Sequence, residues 1–161
     1  VATTKTFNLA GCMIGSMVAS DHALRSRLAR VAAATAGGRS FNRIGMLMCT
    51  AAWQGGDAWL DQLIDYLNEN KRIFEDGVGK ITGLRAMQIE ATYLCWIDFT
   101  NTGMDREEFT KRVEQVAQIA VNHGNTFGAG GDKFLRFNIA CRRQLVIEAV
   151  DRLTRAFSDL Q

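Results

Sequence analysis

A single helical pattern places the tightest limit on how this chain can fold. It runs from Asn42 to about Phe74 and is interrupted only near Gly55-Gly56. In its second half, apolar residues recur at i, i+4, i+7 and i+8 and share one helix face: Trp59, Leu63, Tyr66 and Leu67. Such a stripe is typical of a helix that packs against a core or an interface, and no ligand is needed to explain it.

Two elements are predicted before this pattern. The apolar run at residues 12–19 favours a buried strand. Asp21 is a good N-cap residue, and the segment from Ala23 to Ala36 has a helical composition that ends at Gly37-Gly38. The first part of the chain is therefore expected to hold one strand followed by long helices.

Strand and helix signals alternate in the second half of the chain. The predicted elements are a strand at 89–99, a helix beginning after Asp105, a short strand at 121–122, a strand at 134–141 and a helix from about 144 to 157. This order indicates a small α/β sandwich preceded by part of a larger unit. The joint between the two is expected within the long helical pattern, around residues 40–70.

Composition excludes several classes of function. Lysine and arginine number 19 against 17 acidic residues, and the positive charges are scattered, which gives no case for binding nucleic acid. No run of 18 apolar residues is present, so no membrane span is predicted. The four cysteines lack CxxC spacing, so we expect reduced thiols, no metal site and a cytoplasmic location: Cys12, Cys49, Cys95 and Cys141.

The glycine-rich stretch from Gly124 to Gly131 is open to two interpretations. A phosphate-binding loop needs a strand before it and a helix N-terminus after it, so that backbone N–H groups converge on the anion. Here a strand is predicted to follow, and there is no lysine-serine pair. A turn is therefore the favoured interpretation.

Four motifs occur in order along the chain and resemble those of a known family. Residues 5–11 (KTFNLAG) resemble the cofactor-lysine motif of fold-type I pyridoxal-phosphate (PLP) enzymes, in particular the cystathionine β-lyase and C–S lyase branch of the class I/II aminotransferase superfamily. Residues 91–99 (ATYLCWIDF), 127–131 (FGAGG) and 136–143 (RFNIACRR) are similar to its Gly-Thr-Tyr-Leu-x-Trp-x-Asp strand, Phe-Gly-Pro-Gly-Gly loop and Arg-x-Asn-(Ile/Phe)-(Ala/Gly)-Cys-Pro-Arg strand end. Together the motifs cover essentially the whole chain.

The resemblance assigns roles to a few residues. Lys5 would bind PLP covalently and then act as general base, and Arg143 would bind the substrate's α-carboxylate with its planar fork of donors. Arg142 stands where the family has proline, so Arg143 is the matching position. Thr3 or Thr4 could offer a hydroxyl to the cofactor phosphate, and Thr4 is the candidate taken forward. Ala2 stands where the family often has serine, so this chain departs from the motif at that position. Tyr93 is a candidate for lining the substrate pocket, although a tyrosine in a strand more often belongs to a core.

The resemblance also implies a fold, a domain organisation and partners. The fold class is α/β, the C-terminal portion of a PLP-dependent transferase-like fold. Residues 1–40 would end the large domain, 41–75 would form the linking helix region and 76–161 the small domain. The family forms homodimers, and the chain before the lysine supplies most of its cofactor site. We therefore expect an N-terminal portion to be missing and the chain to be inactive alone.

Three functions stay open at this stage. The full-length parent would catalyse β-elimination on cystathionine or another cysteine S-conjugate, giving a thiol, pyruvate and ammonia. A class I/II aminotransferase would use the same lysine and arginine. The third alternative is a non-catalytic fragment that associates through the apolar surface left by an absent domain.

The chain also lacks proline altogether, whereas average usage would give roughly eight. Arg142, Ala129 and Ile89 are positions where the family usually has proline. Where the native backbone accepts proline, its loss raises the entropy of the unfolded chain and lowers stability by about 0.4–1 kcal/mol per site.

Overall fold

The computed structural model describes residues 1–35 and 42–160, and the chain divides into two compact units, Val1–Leu63 and Ile64–Gln161. In the first unit, helix α1 is a single turn, Thr3–Thr6, followed by a 3-10 turn at Ala10–Cys12. Helices α2 and α3 span His22–Thr35 and Arg43–Gly55, and α4 begins at Asp57 and ends at Val78 in the second unit. The three-part division predicted from the sequence stays a prediction.

The helices begin where short polar residues can accept a free backbone N–H. Asp21 Oδ1 accepts from the Leu24 N–H at 2.5 Å before α2, and Asn42 Oδ1 accepts from the Gly45 N–H at 3.1 Å before α3. The predicted start of α2 is confirmed, whereas its predicted end at Gly37-Gly38 lies outside the described residues.

The predicted break at Gly55-Gly56 is confirmed and has a steric cause. Gly56 follows α3, and a Cβ built on it would lie 2.5 Å from Cε1 of the buried Phe7 ring. Only glycine allows this close approach of the backbone to the aromatic ring. The break therefore lets the segment after Lys5 pack against the junction of α3 and α4.

The predicted strand at residues 12–19 is wrong. The segment is irregular after Cys12, and its side chains Met13, Met17 and Val18 are 85%, 70% and 83% exposed. A strand forms only where a neighbouring strand completes its backbone hydrogen bonds. In the described part of the chain, Ser16 exchanges two backbone hydrogen bonds with Val1, at 2.7 and 2.9 Å, and no ladder extends from this pair. An apolar composition alone cannot reveal whether a partner strand is present.

The second unit is built around an antiparallel sheet of four strands in the order β1-β2-β4-β3. The strands are β1 Arg85–Ala86, β2 Leu94–Asp98, β3 Asn122–His123 and β4 Phe134–Asn138. The two long strands pair directly, with Trp96 opposite Arg136. The strands predicted at 89–99 and 134–141 are confirmed but are shorter, and the predicted pair 121–122 is displaced by one residue.

Helices cover one face of this sheet. Helix α5, Arg106–Lys111, is capped by Asp105, whose Oδ1 accepts from the Glu108 N–H at 2.9 Å, and it continues as a π-helical turn at Arg112–Val116. Helix α6, Arg143–Ala156, follows β4. The core lies between these helices, the end of α4 and the alternate strand residues that point inward: Phe74, Val78, Cys95, Ile97, Phe99, Phe109, Val113, Leu135, Phe137, Val146, Leu153 and Phe157.

The cysteines are free thiols, as predicted, and three of them are buried. Cys95 is fully buried in β2, and burial raises the pKa of its thiol to about 12. A thiol held protonated in this way packs as a small apolar side chain and is a poor nucleophile. No helix in the part of the chain that the structure describes is both long and apolar enough to cross a membrane.

The glycine-rich stretch is a turn between β3 and β4, as predicted. It forms a 3-10 turn at Gly124–Phe127 and then enters β4, so a strand and not a helix follows it. A Cβ on Gly131 would lie 2.1 Å from the Gly124 carbonyl oxygen, so the two ends of the loop pack backbone against backbone. This contact, not anion binding, explains the glycines at its two ends.

Asn70 is the largest polar side chain in the core and ties α4 to the end of β4. It is fully buried, and its Nδ2 donates to the carbonyl oxygens of Ile139 at 3.0 Å and Cys141 at 2.9 Å. The amide therefore satisfies the backbone where the chain leaves the sheet. A buried carbonyl that loses its donor costs about 1–3 kcal/mol.

We predict that Asn70→Leu lowers the free energy of unfolding by about 2–4 kcal/mol, because two carbonyl oxygens lose their donor while the volume stays similar. Chemical denaturation followed by circular dichroism measures the change. Asn68→Leu, an exposed position on the same helix, is the matched control and is expected to change stability by about 0.5 kcal/mol or less. Equal effects of the two substitutions would contradict this role of Asn70.

Arg142, the residue that stands in a proline position of the motif, has a backbone that proline could adopt. Its φ is −59° and its ψ is 136°, whereas proline fixes φ at about −65°. Its N–H donates to no acceptor in the described part of the chain, so proline would remove no hydrogen bond there.

We predict that Arg142→Pro raises the free energy of unfolding by about 0.4–1 kcal/mol, since the ring restricts the unfolded chain and fits the folded one. The midpoint of thermal or urea unfolding reports the gain. Arg142→Ala removes the same charge without the ring and separates the two effects. A destabilised proline variant beside an unchanged alanine variant would show that the local backbone rejects proline.

Candidate functional site

Arg143 is held in place by helix α4. It is the first residue of α6, and its half-buried guanidinium lies 4.4 Å from the centre of the Tyr66 ring. Its Nη2 donates to the Tyr66 carbonyl oxygen and its Nε to Asn70 Oδ1, both at 3.3 Å. A cation stacked on an aromatic face and tied at two nitrogens has little rotamer freedom left.

The guanidinium keeps donors for a ligand. Arginine has five N–H donors, and the two contacts above use one on Nε and one on Nη2. Within the described residues, Nη1 and the second Nη2 hydrogen have no protein acceptor. The N–H groups that remain on Nη1 and Nη2 form a fork that matches the two oxygens of a carboxylate. Arg143 can therefore bind a carboxylate without giving up the contacts that position it.

Tyr66 is a positioning residue that the sequence pattern did not reveal. Periodicity placed it on an apolar stripe, but its hydroxyl oxygen accepts the Arg143 backbone N–H at 2.7 Å. The first N–H groups of a helix have no partner within the helix, so this bond caps α6. Sequence carries no signal for a contact between residues 77 positions apart, although an asparagine four residues later, Asn70, marks this side of α4 as polar.

Arg142 differs from its neighbour in every respect that matters for ligand binding. It is exposed, precedes α6, and uses its carbonyl oxygen to accept the Leu145 N–H at 2.9 Å. The structure therefore fixes the Arg143 guanidinium against α4 and shows no such contact for the Arg142 side chain among the described residues. The role of Arg143 toward a carboxylate stays a prediction.

Tyr93 lies beside the core and precedes β2. It is half-buried, packs against the hydrophobic core, and its carbonyl oxygen accepts the Ile139 N–H at 3.1 Å. The residue before it, Thr92, has a φ of +67°, which is unusual for a β-branched side chain and costs free energy. Tyr93 thus has a structural role in this unit, and its role toward a substrate stays a prediction.

Lys5 lies on a turn that is anchored on both sides. The turn α1 presents the exposed Lys5, while Thr3 is 1% exposed and Phe7 is 7% exposed. The Thr3 hydroxyl accepts from Trp53 Nε1 at 2.8 Å, and the Phe7 ring packs edge-on against Trp53 with centroids 5.3 Å apart. Buried neighbours on either side fix the backbone from which the lysine amine projects.

The two threonines that precede Lys5 differ in how their hydroxyl groups are used. Thr3 is used internally, since its hydroxyl is bonded to the Trp53 indole, whereas Thr4 is half-buried and lies next to the lysine. Of the two, Thr4 is the one whose hydroxyl is more available to a ligand, and its role as a phosphate contact stays a prediction. The bond from Trp53 to Thr3 had no signal in the sequence.

Comparison with known proteins identifies the family to which this chain is similar. The family model described as aminotransferase class I and II matches residues 2–153. Cystathionine beta-lyase PatB of Bacillus subtilis is 27% identical over 158 residues, which are 98% of this chain and 41% of that protein. The cystathionine beta-lyase of Corynebacterium glutamicum is 27% identical over 152 residues, 94% of this chain and 40% of that protein.

Solved structures of known proteins share the fold of this chain. Cystalysin from Treponema denticola, whose crystal structure contains pyridoxal 5'-phosphate, is 33% identical with a TM-score of 0.84 over 98% of this chain and 40% of its own. The likeness confirms the fold class predicted from the sequence, part of a PLP-dependent transferase-like α/β fold. This chain thus spans about two fifths of the length of the relatives it matches. With the family model matched over nearly all of its residues, the chain belongs to the aminotransferase class I and II family.

Proposed function

We propose that this chain is the C-terminal part of a PLP-dependent C–S lyase that acts on cystathionine or another cysteine S-conjugate. The whole protein would cleave the Cβ–S bond of the substrate and, with one water, release a thiol, pyruvate and ammonia. The observation that carries the proposal is Arg143, held by Tyr66 and Asn70 with a donor fork left for a carboxylate. The relatives named cystathionine beta-lyase support the reaction type.

The residues around Lys5 fit PLP as far as this chain supplies the site. The aldehyde of PLP must reach a primary amine in order to condense with it. Lys5 offers such an amine, because it is exposed on a turn fixed by Thr3 and Phe7. PLP, when bound, takes up the electron pair released at the substrate Cα. Thr4 would offer its hydroxyl to the cofactor phosphate.

Each residue would then act on a definite atom. Arg143 would hold the substrate α-carboxylate bidentately and so fix the direction of the Cα–H bond. The Lys5 amine, once free, would remove the Cα proton as general base. Tyr93 would line the pocket beside the substrate. The sulfur then leaves from Cβ as a thiolate and takes up a proton.

Transamination is the second candidate. The aspartate aminotransferase of Pyrococcus horikoshii is 23% identical over 155 residues, 95% of this chain and 39% of that protein. A lysine base and a carboxylate-binding arginine would serve both reactions, so these residues do not choose between them. The relatives named as lyases favour β-elimination.

The proposal includes partners that lie outside this chain. About three fifths of the length of these relatives lies outside the part that this chain matches, and that part would supply further contacts to the cofactor. We therefore propose that the 161 residues alone turn over no substrate and that the functional protein is a cytoplasmic homodimer. Self-association of the chain without catalysis would be the property left to the isolated segment.

We predict that borohydride reduction of the full-length protein with PLP attaches the pyridoxyl group selectively at Lys5, since the anchored turn presents this amine. Peptide mass spectrometry identifies the labelled lysine. Lys5→Arg should abolish the label, while Lys133→Arg, a lysine bonded to the Met104 carbonyl oxygen, should keep it. A label at Lys71, Lys80, Lys111 or Lys133 in place of Lys5 would remove the assignment.

We also predict that Arg143→Ala in the full-length protein lowers kcat/KM for pyruvate release from cystathionine by about tenfold to hundredfold, because a charge-assisted carboxylate contact is lost. Arg142→Ala is the matched control and should leave the rate within about twofold. A keto-acid exchange assay on the same samples separates the two reactions. Exchange without pyruvate release would establish the transaminase alternative.

A further inference from the structure

A carboxylate of this chain lies beside the arginine that is proposed to bind the substrate. On α4, Tyr66, Glu69 and Asn70 are spaced at i, i+3 and i+4 and therefore share one side of the helix. Tyr66 and Asn70 contact the Arg143 guanidinium at its Nη2 and Nε. Glu69 is the charged member of this group, and a carboxylate is the partner that the free donor fork of Arg143 matches.

Glu69 is held by a different arginine. Arg72 donates to both of its carboxylate oxygens, from Nε to Oε2 at 3.0 Å and from Nη2 to Oε1 at 2.7 Å. Arg72 is itself fixed on its other side, where Nη1 donates to Asp76 Oδ2 at 3.1 Å. Hydrogen bonding from Arg72 lowers the pKa of the Glu69 carboxyl, and the charge of Arg143 lowers it further. The carboxylate is thus within the field of both arginines but is bonded to only one of them.

An unpaired Glu69 would compete with the substrate for Arg143. Because it belongs to the same chain, its carboxylate would be present at an effective concentration of about millimolar or more, which is at or above the KM values that enzymes usually have. An arginine occupied by this carboxylate binds no substrate, so the apparent affinity falls in proportion to the fraction of the protein whose fork is free. The choice of partner by Glu69 therefore decides whether the fork is available.

We propose that Arg72 is a positioning residue, which pairs with Glu69 and so keeps the donor fork of Arg143 free for the substrate α-carboxylate. This role rests on the proposed function, since it requires that Arg143 bind that carboxylate. Exposed ion pairs contribute little to stability, and a pair that only supported α4 would leave substrate binding unchanged on removal. Both partners of each contact lie in this chain, so the arrangement does not depend on what covers α4 in the whole protein.

Initial rates of the full-length protein at varied cystathionine concentration test this role. Arg72 is 62% exposed, so Arg72→Met removes the donors that hold Glu69 and leaves the core intact. We expect KM to rise by about threefold to tenfold while kcat stays within about twofold, because only the free fraction of Arg143 changes. Either pyruvate release or keto-acid exchange serves as the assay, since both reactions need the α-carboxylate bound.

Glu69→Gln separates competition from a general effect of charge. A Glu69 that Arg72 holds does not compete, so Glu69→Gln alone should change KM by less than about twofold. Beside Arg72→Met it should lower KM by the whole factor, back to within about twofold of the original value. An equal decrease of KM in both backgrounds would mean that the two charges act independently through their long-range fields, and would overturn the proposal. A KM that Arg72→Met leaves unchanged would overturn it as well.

Two further variants complete the comparison. Arg152→Met breaks a similar ion pair, with Glu148, on the helix that Arg143 begins, and should leave KM within about twofold. Arg72→Lys keeps a donor for Glu69 and should give a KM between those of the original protein and Arg72→Met. Far-UV circular dichroism checks that each variant keeps its helices.

Arg143→Ala distinguishes a failure of this proposal from a failure of the proposed function. An unchanged KM in Arg143→Ala would remove the carboxylate-binding role itself. A raised KM in Arg143→Ala, together with no effect of Arg72→Met, would remove only the positioning role of Arg72.

Discussion

The buried amide of Asn70 is the interaction on which the arrangement of the second unit depends. It donates to two carbonyl oxygens where β4 ends and accepts from the Arg143 Nε. Neither aspartate, which cannot donate when ionised, nor leucine, which lacks polar atoms, could replace all three bonds. Burying an amide in a core is favourable only when it is paired, so the helix, the strand end and the arginine must be in place together.

Local signals allowed much of the helical architecture to be predicted from the sequence. Asp21, Asn42 and Asp105 cap helices through hydrogen bonds to the backbone N–H three positions later. Because both partners lie within a few residues, a short stretch of sequence is enough to predict the cap. The break at Gly55-Gly56 was equally visible. The predicted roles of Lys5 and Arg143 rest on motif resemblance, because periodicity alone assigns neither residue a role.

What the sequence could not reveal depends on distant partners. The apolar run at 12–19 has the composition of a strand, but a strand exists only if another strand pairs with it. Tyr66 was placed on the correct helix, but its hydroxyl meets a backbone N–H far along the chain. The bond from Trp53 to Thr3 is of the same kind. Composition and periodicity describe one element at a time, whereas these contacts belong to pairs of elements.

Position 142, where arginine stands in place of the motif's proline, shows how contacts with a distant helix can hold a backbone conformation that proline would otherwise favour. The carbonyl of the preceding residue, Cys141, accepts from Asn70, and the N–H of the following residue, Arg143, donates to Tyr66. The peptide groups on both sides of Arg142 are therefore fixed from α4, and its φ of −59° lies where a proline ring would hold it. The folded backbone needs no ring to reach this conformation, so the cost of lacking one falls on the unfolded chain.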